Sequence, residues 1–350
     1  MRTQLEGQMN LWDSLPKRIG LVDVDGHNYP NLCLMKLSAY HKSRGDLVEW
    51  HRDDPDITYD IVYMSRVFND EYSTDAPEPT NAVKVIRGGT GYAIKLEGGK
   101  EVYHKELDPP LPPEVESMYP DYSLYPQYTR WHKRLKTQTA YGFLTRGCPR
   151  GCEFCHVAAK EGKCSRKVAD LSQFWRGQGH IVLNDPNILA CPQGVDLLKQ
   201  LRDTGATIEF NQGLDARLMT PEKAELLASM KLKMPHFAMD TMVSLDPVAK
   251  GLQMYTDACK RVKGKWNWRN ARVYCLTNFN TTHEQDMMRI KAIQSSGCWP
   301  YVMIYNKPSA PAITRRLQRW TNSPRLYAMT HDFEEYQRVN YKTVLRGDEP

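Results

Sequence analysis

Three cysteines that lie close together in the sequence have a spacing suited to metal chemistry. Residues 147–155 read GCPRGCEFC, so Cys148, Cys152 and Cys155 have the spacing C-x3-C-x2-C. Thiolates on a short loop that contains glycine and proline can each bind one iron of a 4Fe–4S cluster. Because only three thiolates are local, the fourth iron of such a cluster stays open to another ligand. The spacing therefore predicts an iron–sulfur site that can also bind a small molecule.

Zinc is the alternative metal for these cysteines, because thiolates are soft ligands that suit zinc as well as iron–sulfur clusters. Zinc sites usually combine two C-x2-C pairs about 12–20 residues apart, and the sequence has no second pair. A zinc site would need His156 or Cys164 as its fourth ligand. Two other kinds of protein stay open: a non-enzymatic zinc-binding protein, and an electron-transfer protein whose cluster is itself the function.

The chain after residue 139 alternates between strand and helix patterns, and the cysteines follow the first of these strands. Six such β/α units predict parallel strands joined by right-handed crossovers, in a partial (β/α)6, TIM-like barrel rather than a closed barrel of eight strands. The working groups of such a barrel lie at the carboxyl ends of its strands. The predicted strands are 140–147, 180–185, 207–213, 236–240, 271–279 and 301–305. The predicted helices are 168–179, 195–205, 221–230, 248–264 and 282–297.

The first hundred residues predict a separate, smaller parallel α/β domain. Its strands are predicted at 18–25, 47–51, 61–68 and 82–86, and its helix at 32–45. Residues 69–80 look like a loop where a crossover helix would be expected, and the prolines of 107–126 predict an extended linker. We therefore predict an α/β domain over 1–106, a proline-rich linker over 107–138, a barrel over 139–306 and a helical extension over 307–350.

The cysteine loop, its place after the first strand and the six β/α units together resemble the radical S-adenosylmethionine (radical SAM) family of enzymes. That family also prefers an aromatic residue at the position of Phe154. The resemblance implies that Cys148, Cys152 and Cys155 hold a 4Fe–4S cluster whose open iron binds S-adenosylmethionine. An electron from the cluster, supplied by a reductant such as flavodoxin or ferredoxin, would cleave this cofactor to methionine and a 5′-deoxyadenosyl radical. The radical would then take a hydrogen from a substrate that the sequence does not identify.

The resemblance also assigns cofactor contacts to polar residues at the ends of later strands. Asp185 and Asn187 stand where many members of the family bind the methionyl amine, although the usual glycines and glutamate are absent. Asp215 could bind ribose hydroxyls or form an ion pair with Arg217 inside the loop. The six predicted contact residues are Asp185, Asn187, Gln212, Asp215, Asp240 and Asn278.

Residues 25–30, DGHNYP, resemble the D-x-H-x-x-G motif of cobalamin-binding domains, except that Pro30 replaces the glycine. The resemblance implies a Rossmann-like domain in which Asp25 and His27 bind cobalamin, and a methyl transfer to an unactivated carbon. The alternative is that these two residues cap a helix and line a domain interface. Without cobalamin, rearrangement, sulfur insertion or oxidation stays open. The other residues that match landmarks of that fold are Ser65, Gly88 and Gly89.

Composition limits the class of protein. The chain has 350 residues, 41% hydrophobic and 25% charged, which is typical of a globular protein of about two domains. A mean hydropathy of -0.60 and the lack of a long apolar run predict no membrane segment. The first 14 residues lack the apolar core of a signal peptide. Nine unevenly placed cysteines predict a reducing, cytoplasmic compartment.

The charge pattern permits an anionic partner without requiring one, since the net charge is +6. Residues 261–272, RVKGKWNWRNAR, mix five basic residues with two tryptophans and could contact nucleic acid. A solvated connection between a helix and a strand is the alternative. Arg315, Arg316 and Arg319 lie on a predicted helix that could close the open side of the barrel or hold an anionic substrate.

Overall fold

The protein divides into two compact units whose sequences interleave. In the computed structural model, unit 1 is formed by 1–142, 151–160 and 169–178, and unit 2 by 143–150, 161–168 and 179–350. Cys148 thus belongs to unit 2, and Cys152 and Cys155 belong to unit 1. The predicted boundaries of the α/β domain, the barrel and the helical extension stay predictions. Residues 1–14 of the α/β domain, 130–135 of the predicted linker and 339–350 of the extension lie outside the described residues. The structure describes residues 15–27, 29–98, 100–129 and 136–338.

Unit 1 is built on a parallel sheet of four strands in the order β2-β1-β3-β4. Its helices are α1 (Leu32–Ser43), α2 (Thr90–Ala93), α3 (Pro113–Glu116) and α4 (Pro126–Thr129). Its strands are β1 (Arg18–Asp23), β2 (Leu47–Trp50), β3 (Tyr59–Ser65), β4 (Ala82–Gly88), β5 (Ile94–Glu97), β6 (Lys100–Tyr103) and β7 (Thr139–Gly142). The four predicted strands and the predicted helix are confirmed. The antiparallel β5–β6 hairpin is an element that the sequence patterns did not indicate.

The order of the strands creates a switch point in the sheet of unit 1. Both β2 and β3 pair with β1, on its opposite edges. Ligands of open α/β sheets bind outside the carboxyl ends of the strands at such a point. The connection from β3 to β4 contains no helix, as expected for 69–80.

The proline-rich segment is folded rather than extended between Pro113 and Thr129. Val115 lies in the same buried cluster as Ile19 and Leu21 of β1. The fully buried Tyr125 donates a hydrogen bond of 2.7 Å from its hydroxyl to Asp23 Oδ2. Aromatic and apolar residues between the prolines cover the core of unit 1, so the segment is part of that unit and not an extended linker.

Unit 2 contains parallel strands that alternate with helices. Helix α5 (Val157–Glu161) belongs to unit 1 except for its last residue, Glu161, which belongs to unit 2. The strands of unit 2 are β8 (Thr145–Arg146), β9 (Arg166–Lys167), β10 (His180–Leu183), β11 (Thr207–Phe210), β12 (Lys231–Leu232), β13 (His236–Ala238), β14 (Arg272–Thr277) and β15 (Trp299–Ile304). Its other helices are α6 (Gly194–Asp203), α7 (Pro221–Ser229), α8 (Leu245–Lys263), α9 (His283–Ser295), α10 (Ala312–Asn322), α11 (Pro324–Met329) and α12 (Phe333–Arg338).

The strands of unit 2 follow one another in chain order. β11 pairs in parallel with β10 and β12, and β14 pairs in parallel with β13 and β15. A parallel bridge between Leu214 and Phe237 joins these two groups. The mixed α/β class with parallel sheets that the sequence predicts is therefore confirmed. None of the helices in the described ranges has both the length and the apolar character that crossing a membrane requires.

One predicted helix is wrong. Residues 168–179 form no α-helix, and only a short 3-10 turn occurs there, at Leu171–Gln173. Gly177 has a φ of 91°, a left-handed conformation that does not continue a helix. The apolar residues of this segment gave a helical pattern, but its glycines end any helix early.

A close approach between α8 and the segment after β11 fixes the position of that segment. A Cβ atom on Gly251 of α8 would lie 1.8 Å from the carbonyl oxygen of Ala216, which no side chain permits. Glycine at this position therefore lets the helix touch the backbone beside Asp215 and Arg217.

A buried guanidinium ties three elements of unit 2 together. Arg289 of α9 is fully buried and pairs with Asp286, which is also buried. It donates hydrogen bonds of 2.9 Å to the Met239 carbonyl after β13 and 2.8 Å to the Leu276 carbonyl of β14. The carboxyl ends of two neighbouring strands are thus held by a single side chain.

Replacing Arg289 should therefore destabilise the protein strongly. Arg289→Leu leaves the Asp286 carboxylate buried without its cation, and we expect a loss of about 3–5 kcal/mol in the free energy of unfolding. Arg261→Leu, which breaks an exposed pair with Glu225, should cost at most about 1 kcal/mol. Urea unfolding followed by tryptophan fluorescence measures both variants. Equal, small losses would contradict a central role for the buried pair.

Candidate functional site

Asp185, just after β10, holds the backbone that leads to Cys148. Its buried carboxylate accepts hydrogen bonds from the Leu144 and Thr145 amides, at 3.1 Å and 2.5 Å, and from the Thr145 hydroxyl at 2.7 Å. Burial raises the pKa of this carboxyl to about 6, although the hydrogen bonds from Thr145 and Leu144 act in the opposite direction. Asp185 is therefore occupied by main-chain and hydroxyl donors of its own unit.

Glu161 holds the same segment from its other side. Its carboxylate pairs with Arg146 at 2.7 Å and accepts the Gly147 amide at 3.0 Å. Gly147 has a φ of 87°, and a Cβ atom there would lie 2.2 Å from the carbonyl oxygen of Cys164. Only glycine fits the position before Cys148, so the first glycine of the cysteine motif has a steric role.

Asp215, just after β11, binds an arginine from within the cysteine motif. Arg150 donates from Nε to Asp215 Oδ2 at 2.6 Å, and Arg217 donates from Nε to Oδ1 at 2.6 Å. Burial alone would raise the pKa of Asp215, but the two guanidinium groups outweigh it and hold that pKa below its usual value. The ion pair between Asp215 and Arg217 that we considered from the sequence is confirmed.

Asn187 lies between Cys148 and Asp215 and is 3% exposed. Its Nδ2 lies 3.5 Å from Cys148 Sγ and 3.2 Å from Asp215 Oδ2, in position to donate to both. Its buried Oδ1 has no hydrogen-bond partner among the described residues. An unmatched buried acceptor is costly in a folded protein, so this oxygen is suited to receive a donor from a ligand.

The part of the motif in unit 1 forms a turn. The Cys155 amide donates to the Cys152 carbonyl at 3.0 Å, and Gly151 has a φ of 57°. Cys152 is half-buried, Cys155 is exposed, and Phe154 between them is half-buried. The short turn leaves the thiol of Cys155 accessible.

His156 has a carboxylate partner inside unit 1. Its Nε2 lies 2.9 Å from Glu101 Oε2, and the other oxygen of Glu101 accepts a hydrogen bond of 2.6 Å from Asn69. A zinc site completed by His156 would have to compete with this contact. The arrangement favours the interpretation that His156 is a loop histidine, which contacts Glu101 of the β5–β6 hairpin.

The cysteines suit an iron–sulfur cluster by their donor chemistry. Three thiols lie within eight residues, and an amide N–H of Asn187 is directed at the first of them, as is common around such clusters. Within the described ranges, no three His, Cys, Asp or Glu side chains are already grouped as a metal site. The fit therefore rests on the kind and spacing of the donors and on the hydrogen bond to sulfur.

The other predicted contact residues of unit 2 lie outside the Cys148–Asn187–Asp215 network. Gln212 is exposed after β11. Asp240 accepts the Leu276 amide at 3.1 Å, and burial raises the pKa of its carboxyl. Asn278, with a φ of 60°, donates from Nδ2 to the Tyr305 carbonyl at 2.8 Å. Asp240 and Asn278 therefore brace the ends of β14 and β15.

In unit 1, the histidine of the cobalamin-like motif contacts an acidic residue and a tryptophan. His27 Nδ1 lies 3.7 Å from Asp23, and the His27 ring packs edge-on against Trp50 at 4.2 Å. Asp25 instead accepts the Val67 amide at 2.6 Å. Asp25 thus braces the loop after β3. His27 contacts the buried carboxylate of Asp23, four residues earlier in the chain.

The remaining landmarks of that motif also serve the backbone. Ser65, at the end of β3, accepts a hydrogen bond of 2.9 Å from Asn31 Nδ2. Gly89 has a φ of 106°, and a Cβ atom there would lie 2.3 Å from the Arg66 carbonyl oxygen. Gly88 ends β4 and has open space around it. These residues lie at the carboxyl ends of β3 and β4, where the resemblance expects them.

Comparison with known proteins gives no match, either to a protein-family model or to a curated protein. The functional assignment therefore depends on the residues of this chain.

Three residues of the site were not singled out from the sequence. Arg150 lies inside the cysteine motif, but its partner Asp215 is 65 residues away. Glu161 and Glu101 are equally ordinary in the sequence, and no spacing rule connects them to the cysteines. The one signal in the sequence was the presence of an arginine within the motif, Arg150, and of an acid after a later strand, Asp215, which could have suggested an ion pair.

The raised pKa of Asp185 predicts a specific dependence of stability on pH. The pKa of this carboxyl is about 6 in the folded protein, whereas the ordinary pKa of an aspartate is 3.8. Its contribution to stability is therefore fully present below about pH 4 and is lost as the pH rises through about 6, by about 3 kcal/mol in all. Urea unfolding of the wild type and of Asp185→Asn across this range measures the difference.

The exposed Asp203→Asn variant is the control for a carboxyl that does not have a raised pKa. Its stability should follow that of the wild type over the same pH range. If the free energies of unfolding of the wild type and of Asp185→Asn change with pH in the same way, Asp185 does not titrate at a raised pKa.

Proposed function

We propose that this protein is a radical SAM enzyme, in which Cys148, Cys152 and Cys155 hold a 4Fe–4S cluster. The observation that carries the proposal is the C-x3-C-x2-C spacing after the strand pattern at 140–147, ahead of parallel strands that follow in chain order. The hydrogen bond from Asn187 to the Cys148 sulfur supports it further. We propose a partial (β/α)6 barrel as the frame of this site.

The cluster would bring the difficult chemistry. When bound, it supplies the electron that cleaves S-adenosylmethionine to methionine and a 5′-deoxyadenosyl radical. The residues of the chain hold, orient and shield the reacting groups.

Asn187 has two functions in this proposal. Its Nδ2–H stabilises negative charge on the Cys148 sulfur, since a hydrogen bond to a thiolate favours the charged form. Its unmatched Oδ1 would accept a hydrogen bond from the cofactor, and the methionyl amine is a donor of the right kind. Asp185, which we also expected to bind this amine, has its oxygens filled by Leu144 and Thr145.

Asp215 positions the loop. It holds Arg150, two residues after Cys148, and shares one oxygen with Asn187. Because Arg150 and Arg217 keep it ionised, Asp215 is a fixed negative anchor for the motif and not a proton donor.

The reaction after radical formation and the substrate stay open. Methyl transfer assisted by cobalamin, and flavodoxin or ferredoxin as the reductant, stay predictions from the resemblance. Within unit 1, Asp25 binds the Val67 amide, and His27 faces Asp23 and Trp50.

The proposal predicts reductive cleavage of S-adenosylmethionine. The protein is reconstituted anaerobically with iron and sulfide, reduced with dithionite and mixed with the cofactor, and 5′-deoxyadenosine is quantified. The wild type should form this product, and Cys152→Ala should form none because one thiolate of the cluster is lost. Cys164→Ala removes an exposed cysteine outside the motif and should leave the yield unchanged.

Two results would contradict the proposal. One is equal product from the wild type and Cys152→Ala, which would place the chemistry elsewhere. The other is a wild-type protein that takes up zinc in place of iron and forms no product, which would favour a zinc-binding protein.

A further inference from the structure

A long stretch near the end of the described chain contains no acidic residue. From Met287 to His331 there is no Asp or Glu, although the chain has 41 of them among 350 residues. The same stretch contains seven Lys and Arg residues. Acids are thus excluded from one continuous part of unit 2, which includes β15, α10 and α11.

Six of these basic residues are exposed and lack acidic partners. Within the part of the chain that the structure describes, none of them forms an ion pair with Asp or Glu. Other exposed arginines of unit 2 do pair, such as Arg202 with Asp203 and Arg261 with Glu225. The six exposed residues are Lys291, Lys307, Arg315, Arg316, Arg319 and Arg325.

Helix α10 presents three of these arginines on one side. Arg315, Arg316 and Arg319 are exposed, at positions i, i+1 and i+4, and we refer to them as the arginine face. On the other side of the helix, Leu317 and Trp320 are fully buried. The core therefore sets which side of α10 faces solvent.

The helix is fixed in place by its contacts with the edge of β15. Asn322 accepts the Val302 amide at 2.8 Å and donates to the Val302 carbonyl at 2.9 Å, and Gln318 donates to the same carbonyl at 3.3 Å. These side chains take the place of a further strand on β15. The arginine face is thus rigidly oriented before any partner binds.

An exposed aromatic ring lies at the end of the same strand. Tyr305 is 43% exposed and packs edge-on against Phe279 at 4.8 Å. It stands two residues before Lys307. Proteins bind single-stranded nucleic acids with exposed aromatic rings, on which bases stack, combined with basic side chains, which contact phosphates.

We propose that the arginine face and Tyr305 form a binding surface for single-stranded nucleic acid. Arginine suits phosphate because its planar group can form two parallel hydrogen bonds. A membrane surface fits less well, because the exposed side of α10 has no large apolar residue to insert. This surface is separate from the proposed chemistry at the cysteines and does not depend on it.

Fluorescence anisotropy of labelled single-stranded oligonucleotides with the full-length protein tests the surface. Binding should weaken as salt rises from about 50 to 200 mM. The triple variant Arg315→Gln, Arg316→Gln, Arg319→Gln should bind at least about tenfold more weakly, and its log–log salt slope should be smaller by about 2, since each lost phosphate contact contributes about 0.7. RNA and DNA oligonucleotides of the same sequence show which of the two is preferred.

A second variant excludes a loss of folding. Arg315 also donates to the Ala310 carbonyl, so the double variant Arg316→Gln, Arg319→Gln keeps that contact. Its salt slope should change by roughly two thirds of the change seen in the triple variant, since two of the three arginines are replaced.

The matched control removes the same charge elsewhere on unit 2. Arg202→Gln, Lys231→Gln, Lys250→Gln should bind like the wild type, since these exposed residues lie outside the surface and outside 261–272. An equal loss in this control would overturn the proposal, and so would a wild type that binds no oligonucleotide. Binding to anionic lipid vesicles but not to oligonucleotides would also overturn it.

Discussion

The hydrogen bonds of Asp185 to the Leu144 and Thr145 backbone hold the segment that carries the first cysteine of the motif. That segment contains glycine and proline and has little regular structure of its own, so side chains from elsewhere must hold it. Asp185 and Glu161 do so before Cys148, and Asp215 does so through Arg150 after it. If these carboxylates were lost, the backbone amides they bind would be left without partners at the point where the thiol must be positioned.

Two buried carboxylates of unit 2 show how the environment separates similar residues. Burial dominates at Asp185, whose hydrogen-bond partners are uncharged, so its pKa rises. Two guanidinium groups dominate at Asp215, so its pKa falls. Burial raises the pKa of a carboxyl, and a neighbouring positive charge lowers it. The two aspartates therefore differ in function. Asp185 is a brace for the backbone, and Asp215 is a charged anchor that also contacts Asn187.

Much of the fold could be predicted from the sequence because apolar periodicity is local information. The strands of the first sheet and the helices α6 to α9 followed from it. The segment 168–179 did not, because its apolar residues suggested a helix that its glycines do not allow. The contact between Arg150 and Asp215 could not be predicted either, because it joins residues far apart in the sequence and no spacing rule specifies it. Chemistry confined to one loop, such as the three cysteines, is readable from the sequence, whereas the residues that position that loop are not.

The electron paramagnetic resonance spectrum of the reduced protein, with and without S-adenosylmethionine, tests most directly whether the three cysteines leave one iron open. A 4Fe–4S cluster held by Cys148, Cys152 and Cys155 should give a signal in the reduced state that changes when the cofactor is added. A signal that the cofactor leaves unchanged would contradict an open iron and would favour a simple electron carrier. The absence of any cluster signal in a protein that contains zinc would contradict the iron–sulfur assignment itself.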